Sequence, residues 1–310
     1  MRFLSIVVPV YNEEVVLDEL YSRLTAVLNG QPFDYEVVLV NDGSTDQTLA
    51  KARELCRKDQ RIKLLSFSRN FGHQIAVTAG IDKASGQVIV IIDADLQDPP
   101  EVIIDMVEKW KQGYQVVYGV RKQRQRERWF KRASAALFYR LLRRLTSVDI
   151  PVDTGDFRLL DRKVVTQLTQ MREHHRFVRG MVSWVGFKQG QVEYIREGRF
   201  AGTSKYPFSK MLNFALDGIF SFSSIPLKLS SLLGLVCSGL SFVLILFGLI
   251  SKYFYPQTTI PGWASVFIAV LFLGGVQLIT VGILGEYIAR VYEEVKRRPL
   301  YVVEEEINFE

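Results

Sequence analysis

The chain has 310 residues, enough for one large domain or a domain with a smaller appendage, and Lys plus Arg outnumber Asp plus Glu by 39 to 33, a net charge of +6. Its two cysteines, Cys56 and Cys237, lie in separate halves, which argues against a disulfide framework or a zinc site and suits a reducing compartment. The N-terminal apolar run is too short for a signal peptide and stops at Pro9, so the first half is expected to stay in the cytosol.

In chain order, β-rich runs at Leu4–Val8, Tyr35–Val40, Ile62–Phe67, Val88–Ile92 and Gln115–Gly119 alternate with helical patterns at Glu13–Leu28, Asp46–Arg57, Gln74–Lys83 and Pro100–Gln112. This βαβ series predicts an α/β domain over residues 1–225, with a mostly parallel sheet covered by helices on both faces. Ligands of such sheets bind beyond the carboxyl ends of the strands.

A basic cluster follows, containing Arg121, Arg128 and Arg132 among others, and calls for an anionic partner such as phosphate, nucleic acid or a lipid surface. Residues 125–146 set Trp129, Phe130, Leu137 and Phe138 among arginines, and 207–222 are rich in Phe and Leu. Both read as helices lying in a membrane interface, although either could pack against protein or another subunit.

Leu229–Ile250 and Trp263–Gly285 carry no charge and are long enough, at ~1.5 Å rise per residue, to cross a hydrocarbon core of roughly 30 Å. They predict a two-helix transmembrane domain over 226–290 and a cytosolic tail over 291–310. Lys228 before the pair and Lys296, Arg297 and Arg298 after it place both flanks in the cytosol. The sticky surface of these segments favours a homo-oligomer.

The expected strands end in acids. The first leads into Pro9-Val10-Tyr11-Asn12-Glu13, the second into Asn41-Asp42-Gly43-Ser44, and the fourth into Asp93-Ala94-Asp95-Leu96-Gln97. Asp93 and Asp95 at a strand's carboxyl end could contact a divalent cation that bridges a diphosphate, since Mg²⁺ and Mn²⁺ favour oxygen ligands. An Asp-x-Asp alone is more often a turn, and Glu13 or Asp46 could merely serve a helix N-terminus. His73, His174 and His175 have neither metal spacing nor a nucleophile partner.

Taken with Ser68-Arg69-Asn70-Phe71-Gly72-His73, Asp153-Thr154-Gly155-Asp156-Phe157-Arg158, Gly202-Thr203-Ser204-Lys205-Tyr206 and the paired apolar spans, these motifs resemble the family-2 inverting glycosyltransferases that use polyprenyl phosphate. Dolichol-phosphate mannose synthase and the bactoprenol glucosyltransferases are of this type. The resemblance covers nearly the whole chain and implies a nucleotide-sugar-binding GT-A (Rossmann-like) domain followed by interfacial and transmembrane helices.

It also implies roles. Pro9, Tyr11, Asn12, Glu13, Asp42, Arg69, Asp93, Ala94, Asp95 and Lys205 would hold the nucleotide sugar. Asp95 and Gln97, with Asp93, would bind Mg²⁺ or Mn²⁺. Arg121, Arg128 and Arg132 would meet the lipid phosphate, and Asp156 would be the catalytic acid, unless it only makes a salt bridge to Arg158. The implied reaction transfers glucose from UDP-glucose to undecaprenyl phosphate, with membrane lipid and no nucleic acid as partner. GDP-mannose or a UDP-amino sugar is the alternative donor, and a silent nucleotide-sugar-binding scaffold the alternative function.

Overall fold

The computed structural model describes residues 3–122, 154–196, 198, 225–254 and 263–309. The helices expected at 125–146 and 207–222, and with them Arg128, Arg132 and Lys205, lie outside these residues. The chain divides into two compact units, one of Met1–Ser221 with Pro299–Glu310 and one of Phe222–Arg298.

The first unit is built on strands β1 (Leu4–Val10), β2 (Tyr35–Asn41), β3 (Ile62–Phe67), β4 (Val88–Ile91), β5 (Val116–Arg121), β6 (Thr154–Asp161), β7 (Gln189–Tyr194) and β8 (Val303–Ile307). They form one sheet in the order β7-β5-β6-β4-β1-β2-β3-β8. The segment from β3 to β4 is parallel, as the βαβ spacing requires, whereas β6 runs antiparallel to both β4 and β5. β1 to β4 are buried along their whole length, which is why they read as continuous apolar runs.

Helices α1 (Leu17–Leu28), α2 (Thr48–Lys58), α3 (His73–Lys83) and α4 (Val102–Lys111) follow the first four strands. Leu17, Leu20, Leu24 and Leu28 make the buried stripe of α1. With residues of α2 and α4 they share one core with Leu4, Ile6, Val8 and Val10, the alternate side chains of β1. α3 covers the opposite face: a Cβ on Gly80 would come within 2.2 Å of Val7 Cγ1 and 3.1 Å of Val40 Cγ2, so this glycine lets helix and sheet approach closely. α5 (Arg162–Gln170) and α6 (Val178–Val185) stand between β6 and β7. Both cysteines are free, and burial pushes the Cys56 thiol up to about 12.

Residues 291–310, a tail by sequence, contain the end of the last helix and then β8, which pairs antiparallel with β3. Charged and apolar contacts hold it there. Arg53 pairs with Glu305 at 2.7 Å, Lys83 with Glu306 at 2.8 Å, and Tyr301 stacks on Phe67 at 5.2 Å. Asn308, at φ 63, donates from Nδ2 to the carbonyls of Cys56 and Ile62 at 2.9 and 2.7 Å. The acidic side chains of β8 suit an edge strand that must not recruit another chain.

The second unit is a pair of helices, α7 (Ile225–Phe254) and α8 (Trp263–Val295). Both are long and apolar enough to cross a membrane by length and composition, over Ile225–Val243 and Phe272–Val295. Large apolar side chains such as Leu235 and Leu278 stand 71% and 75% exposed, an arrangement that costs free energy against water.

Candidate active site

Four strand ends converge, and backbone geometry decides how. After β2, Gly43 adopts φ 65, and a Cβ there would sit 2.5 Å from the backbone of Arg69 and Asn70. Only glycine allows this turn to lie against the loop that precedes α3. Asp42, buried, accepts hydrogen bonds from the Phe71 and Gly72 amides at 2.7 and 3.0 Å. Burial raises its proton affinity and these amides pull it back. Its carboxylate therefore fixes the start of α3.

After β1, Asn12 adopts φ 54 and accepts from the Thr45 amide at 2.8 Å, while its own amide donates to Ser44 Oγ at 3.0 Å. The Glu13 amide donates to Thr48 Oγ1 at 2.8 Å. The turns after β1 and β2 are thus laced into one rim, on which Tyr11 stands 38% exposed. Asp46 accepts from the Thr48 amide at 3.0 Å, although the N-cap of α2 is Gln47 rather than Asp46. Arg69 lies over the Phe71 ring, 4.0 Å from its centroid.

Beyond β4, Asp95 accepts from the Gln97 amide at 3.2 Å, and Leu96 between them has φ 55. This tight turn carries Asp93, Ala94, Asp95 and Gln97 on one loop. Asp98 ends it, buried, with the Tyr194 hydroxyl donating to its Oδ1 and Arg121 Nη2 3.9 Å away. Arg121 also donates to Tyr194 Oη at 3.4 Å and lies against Gly155. The one described member of the expected lipid-phosphate set is therefore already in contact with an acid.

Asp156, on β6, is the hub. Arg179 Nε of α6 donates to its Oδ1 at 2.7 Å; His73 Nε2 lies 3.2 Å and Gln74 Nε2 3.4 Å from its Oδ2. Gln74 Oε1 in turn accepts from the Val178 amide at 3.0 Å, tying α3 to α6. Burial works against the Asp156 carboxylate, but Arg179 and His73 outweigh it and hold the group well below its usual range. The alternative salt bridge to Arg158 is not what forms. Arg158 is buried, donates to the backbone carbonyls of Gly155 and Asp156 at 2.9 and 3.3 Å, and is brought down to about 10 by that burial.

His73 has a partner that sequence reading missed. Its Nε2 is also 3.6 Å from Asp93 Oδ1. Burial disfavours the imidazolium, yet the hydrogen bond to Asp156 and the charges of Asp93 and Asp156 lift it to about 9. Asp93 is also raised, to about 6, through burial and the acids Asp156, Asp98 and Asp95, against the pull of His73, a shift that favours its neutral form. Arg179 was likewise missed, for want of any spacing that links it to Asp156. His174 and His175 lie in the loop between α5 and α6.

Among the described residues no three His, Cys, Asp or Glu side chains form a metal-holding group. The donor types nonetheless fit a hard cation. Asp93 Oδ1 is buried with no hydrogen-bond partner, and Asp95 and Gln97 add carboxylate and amide oxygens on the same turn.

Taken with the family match of the chain, the parallel-centred α/β sheet with acids at its strand ends is a GT-A domain. The model of "Glycosyl transferase family 2" matches residues 5–169, and the chain belongs to this family. It is 53% identical to YkcC, an uncharacterized glycosyltransferase of Bacillus subtilis, over 99% of this chain and 94% of that protein. It is 41% identical to the SfII prophage-derived bactoprenol glucosyl transferase of Shigella flexneri, over 97% of each. Among solved structures, the glucosyl-3-phosphoglycerate synthase of Mycobacterium tuberculosis is similar at 17% identity, with a TM-score of 0.48 over 71% of this chain and 79% of that one.

Proposed function

We propose that the protein transfers glucose from UDP-glucose, with inversion, to polyprenyl phosphate, undecaprenyl phosphate in a bacterial host, at the cytosolic membrane face. The product is a lipid-phosphate sugar for cell-envelope glycan modification. One observation carries the reading: an acid-rimmed sheet and a pair of apolar helices occur in one chain, and its likeness to a bactoprenol glucosyl transferase runs through both.

In the reaction an acceptor phosphate oxygen attacks the anomeric carbon, the new C–O bond forms as the bond to the diphosphate breaks, and the nucleoside diphosphate leaves. The acceptor is already anionic near neutral pH, so no strong base is required. Asp156 suits that requirement, because a carboxylate held by Arg179 and His73 is a poor proton acceptor and a good orienting group. Asp95, Gln97 and Asp93 would hold Mg²⁺ or Mn²⁺, which when bound supplies positive charge to the leaving diphosphate. Tyr11, Asn12, Glu13 and Asp42 line the nucleoside side, with Pro9, Arg69 and Ala94 beside them; Arg121, Arg128, Arg132 and Lys205 bring cations to the phosphates. The catalytic unit and both termini face the cytosol, and the assembly is a homo-oligomer.

The test incubates the purified chain in mild detergent with undecaprenyl phosphate and radiolabelled UDP-glucose, GDP-mannose or UDP-N-acetylglucosamine. Label from UDP-glucose enters the lipid fraction if the reading holds. Transfer from another donor alone replaces the sugar, and donor binding without turnover replaces the enzyme with a scaffold.

A further inference from the structure

β4 and β6 are antiparallel neighbours whose register pairs Val88 with Asp161, Ile89 with Leu160, Val90 with Leu159 and Ile91 with Arg158. Extending that register by two residues sets Asp93 opposite Asp156. Like charges directly opposite one another on adjacent strands are destabilising; here Asp156 is buried, and Asp93, 31% exposed overall, has its Oδ1 buried. The ladder stops at Ile91 and Arg158, just short of the two acids.

Into this gap comes His73, the first residue of α3. The loop before it is set by the Asp42 carboxylate, which takes the Phe71 and Gly72 amides, and by Gly72 at φ 101, a conformation that L side chains rarely adopt. The imidazole is thereby aimed from a fixed backbone, with Nε2 3.2 Å from Asp156 and 3.6 Å from Asp93. Arg179 holds the other oxygen of Asp156, and Gln74 shares Oδ2 with His73.

We propose that His73 is a positioning residue, wedged between two register-opposed carboxylates so as to fix the distance between Asp93, on the donor side, and Asp156, on the acceptor side. The assignment of sides rests on the function proposed above; the wedge itself does not. In-line displacement needs both reactants held within a fraction of an ångström, and misplacement by about 1 Å can cost about 100-fold. The wedge sets that spacing before any substrate arrives.

The test uses the full chain in mild detergent and a double-mutant cycle read first without substrate. His73→Ala lowers the melting temperature by about 3–6 °C in the otherwise native protein, because the opposed carboxylates then face each other. In the Asp93→Asn background, where one charge is gone, the same substitution costs less than half as much. Equal losses in the two backgrounds would overturn the proposal and leave His73 as packing. His73→Gln keeps a donor at similar reach, and it regains part of both stability and activity. In turnover, His73→Ala lowers kcat by about 100-fold with KM for the nucleotide sugar within about threefold; a raised KM at unchanged kcat would overturn the positioning role. If the native protein turns over none of the donors, the function proposed above fails, and the melting cycle still decides whether the wedge exists.

Discussion

Raising the pH from 6.5 to 9 should destabilise this protein through His73, and Asp156→Asn should remove most of that effect. The imidazole titrates near 6.5 in an unfolded chain and at about 9 in the folded one, where Asp156 and Asp93 favour its charged form. A group whose folded value is raised gives stability that is complete below the unfolded value and lost as pH climbs to the folded one. At about 1.4 kcal/mol per pH unit the ceiling is about 3 kcal/mol. The ring is 31% exposed, so screening by water reduces this to about 2 kcal/mol, or about 4–8 °C in melting temperature. Asp156, held low, contributes above the unfolded carboxylate range and is lost only in acid, and Asp93, raised to about 6, acts below that value, so neither shapes the alkaline limb. Cys56 does act above about pH 8.5, since its folded thiol ionises only at about 12, but that part is common to both proteins and cancels in the comparison. Scanning calorimetry of native and Asp156→Asn protein at pH 6.5, 7.5, 8.5 and 9 gives the two curves. Parallel alkaline limbs would refute the ion pair as the origin of the effect.

Three further outcomes are expected. Gly43→Ala places a methyl group 2.5 Å from the backbone of Arg69 and Asn70 at φ 65, and should cost about 2–4 kcal/mol in denaturant unfolding and weaken UDP binding; a native midpoint would contradict the close approach. Asn308→Ala removes two hydrogen bonds and leaves alanine at φ 63, for about 2–3 kcal/mol; an unchanged melting temperature would mean that β8 does not depend on this anchor. Asp95→Ala should lower turnover by at least about 100-fold, with excess chelator doing the same to the native enzyme, and full turnover in chelator would remove the metal from the reading.

The parallel half of the sheet was legible because its strands are buried on both faces, and runs such as Leu4–Val8 and Val88–Ile92 carry that signature openly. Of the remaining strands, β5 was legible as Gln115–Gly119, whereas β6, β7 and β8 were not. β6 contains Asp156 and Arg158, charged residues that interrupt any apolar run and that the structure buries through the hydrogen bonds to Gly155 and Asp156 carbonyls and the pair with Arg179. β7, Gln-Gly-Gln-Val-Glu-Tyr, is polar on alternate positions, and β8 owes its place to a partner strand more than two hundred residues earlier in the chain. At the site, Asp42, Asp93 and Asp95 were visible as strand ends, and Asp156 only through the family motif. Their counter-ions were not, because His73 and Arg179 reach Asp156 only through the register of β4 on β6 and the packing of α3 and α6.

The return of the chain to β3 sets an order of assembly during synthesis. A ribosome delivers β1 through β7 first, then the two apolar helices, and only then the residues of β8. Until residues 303–307 have been made, the outer edge of β3 lacks the β8 partner, and an open edge is a template for pairing with other nascent chains. A chain that stops between the end of α8 and β8 therefore has its apolar helices complete and the β3 edge bare. Quality control can recognise such a product by that edge, so a full catalytic sheet reports that synthesis has passed residue 307.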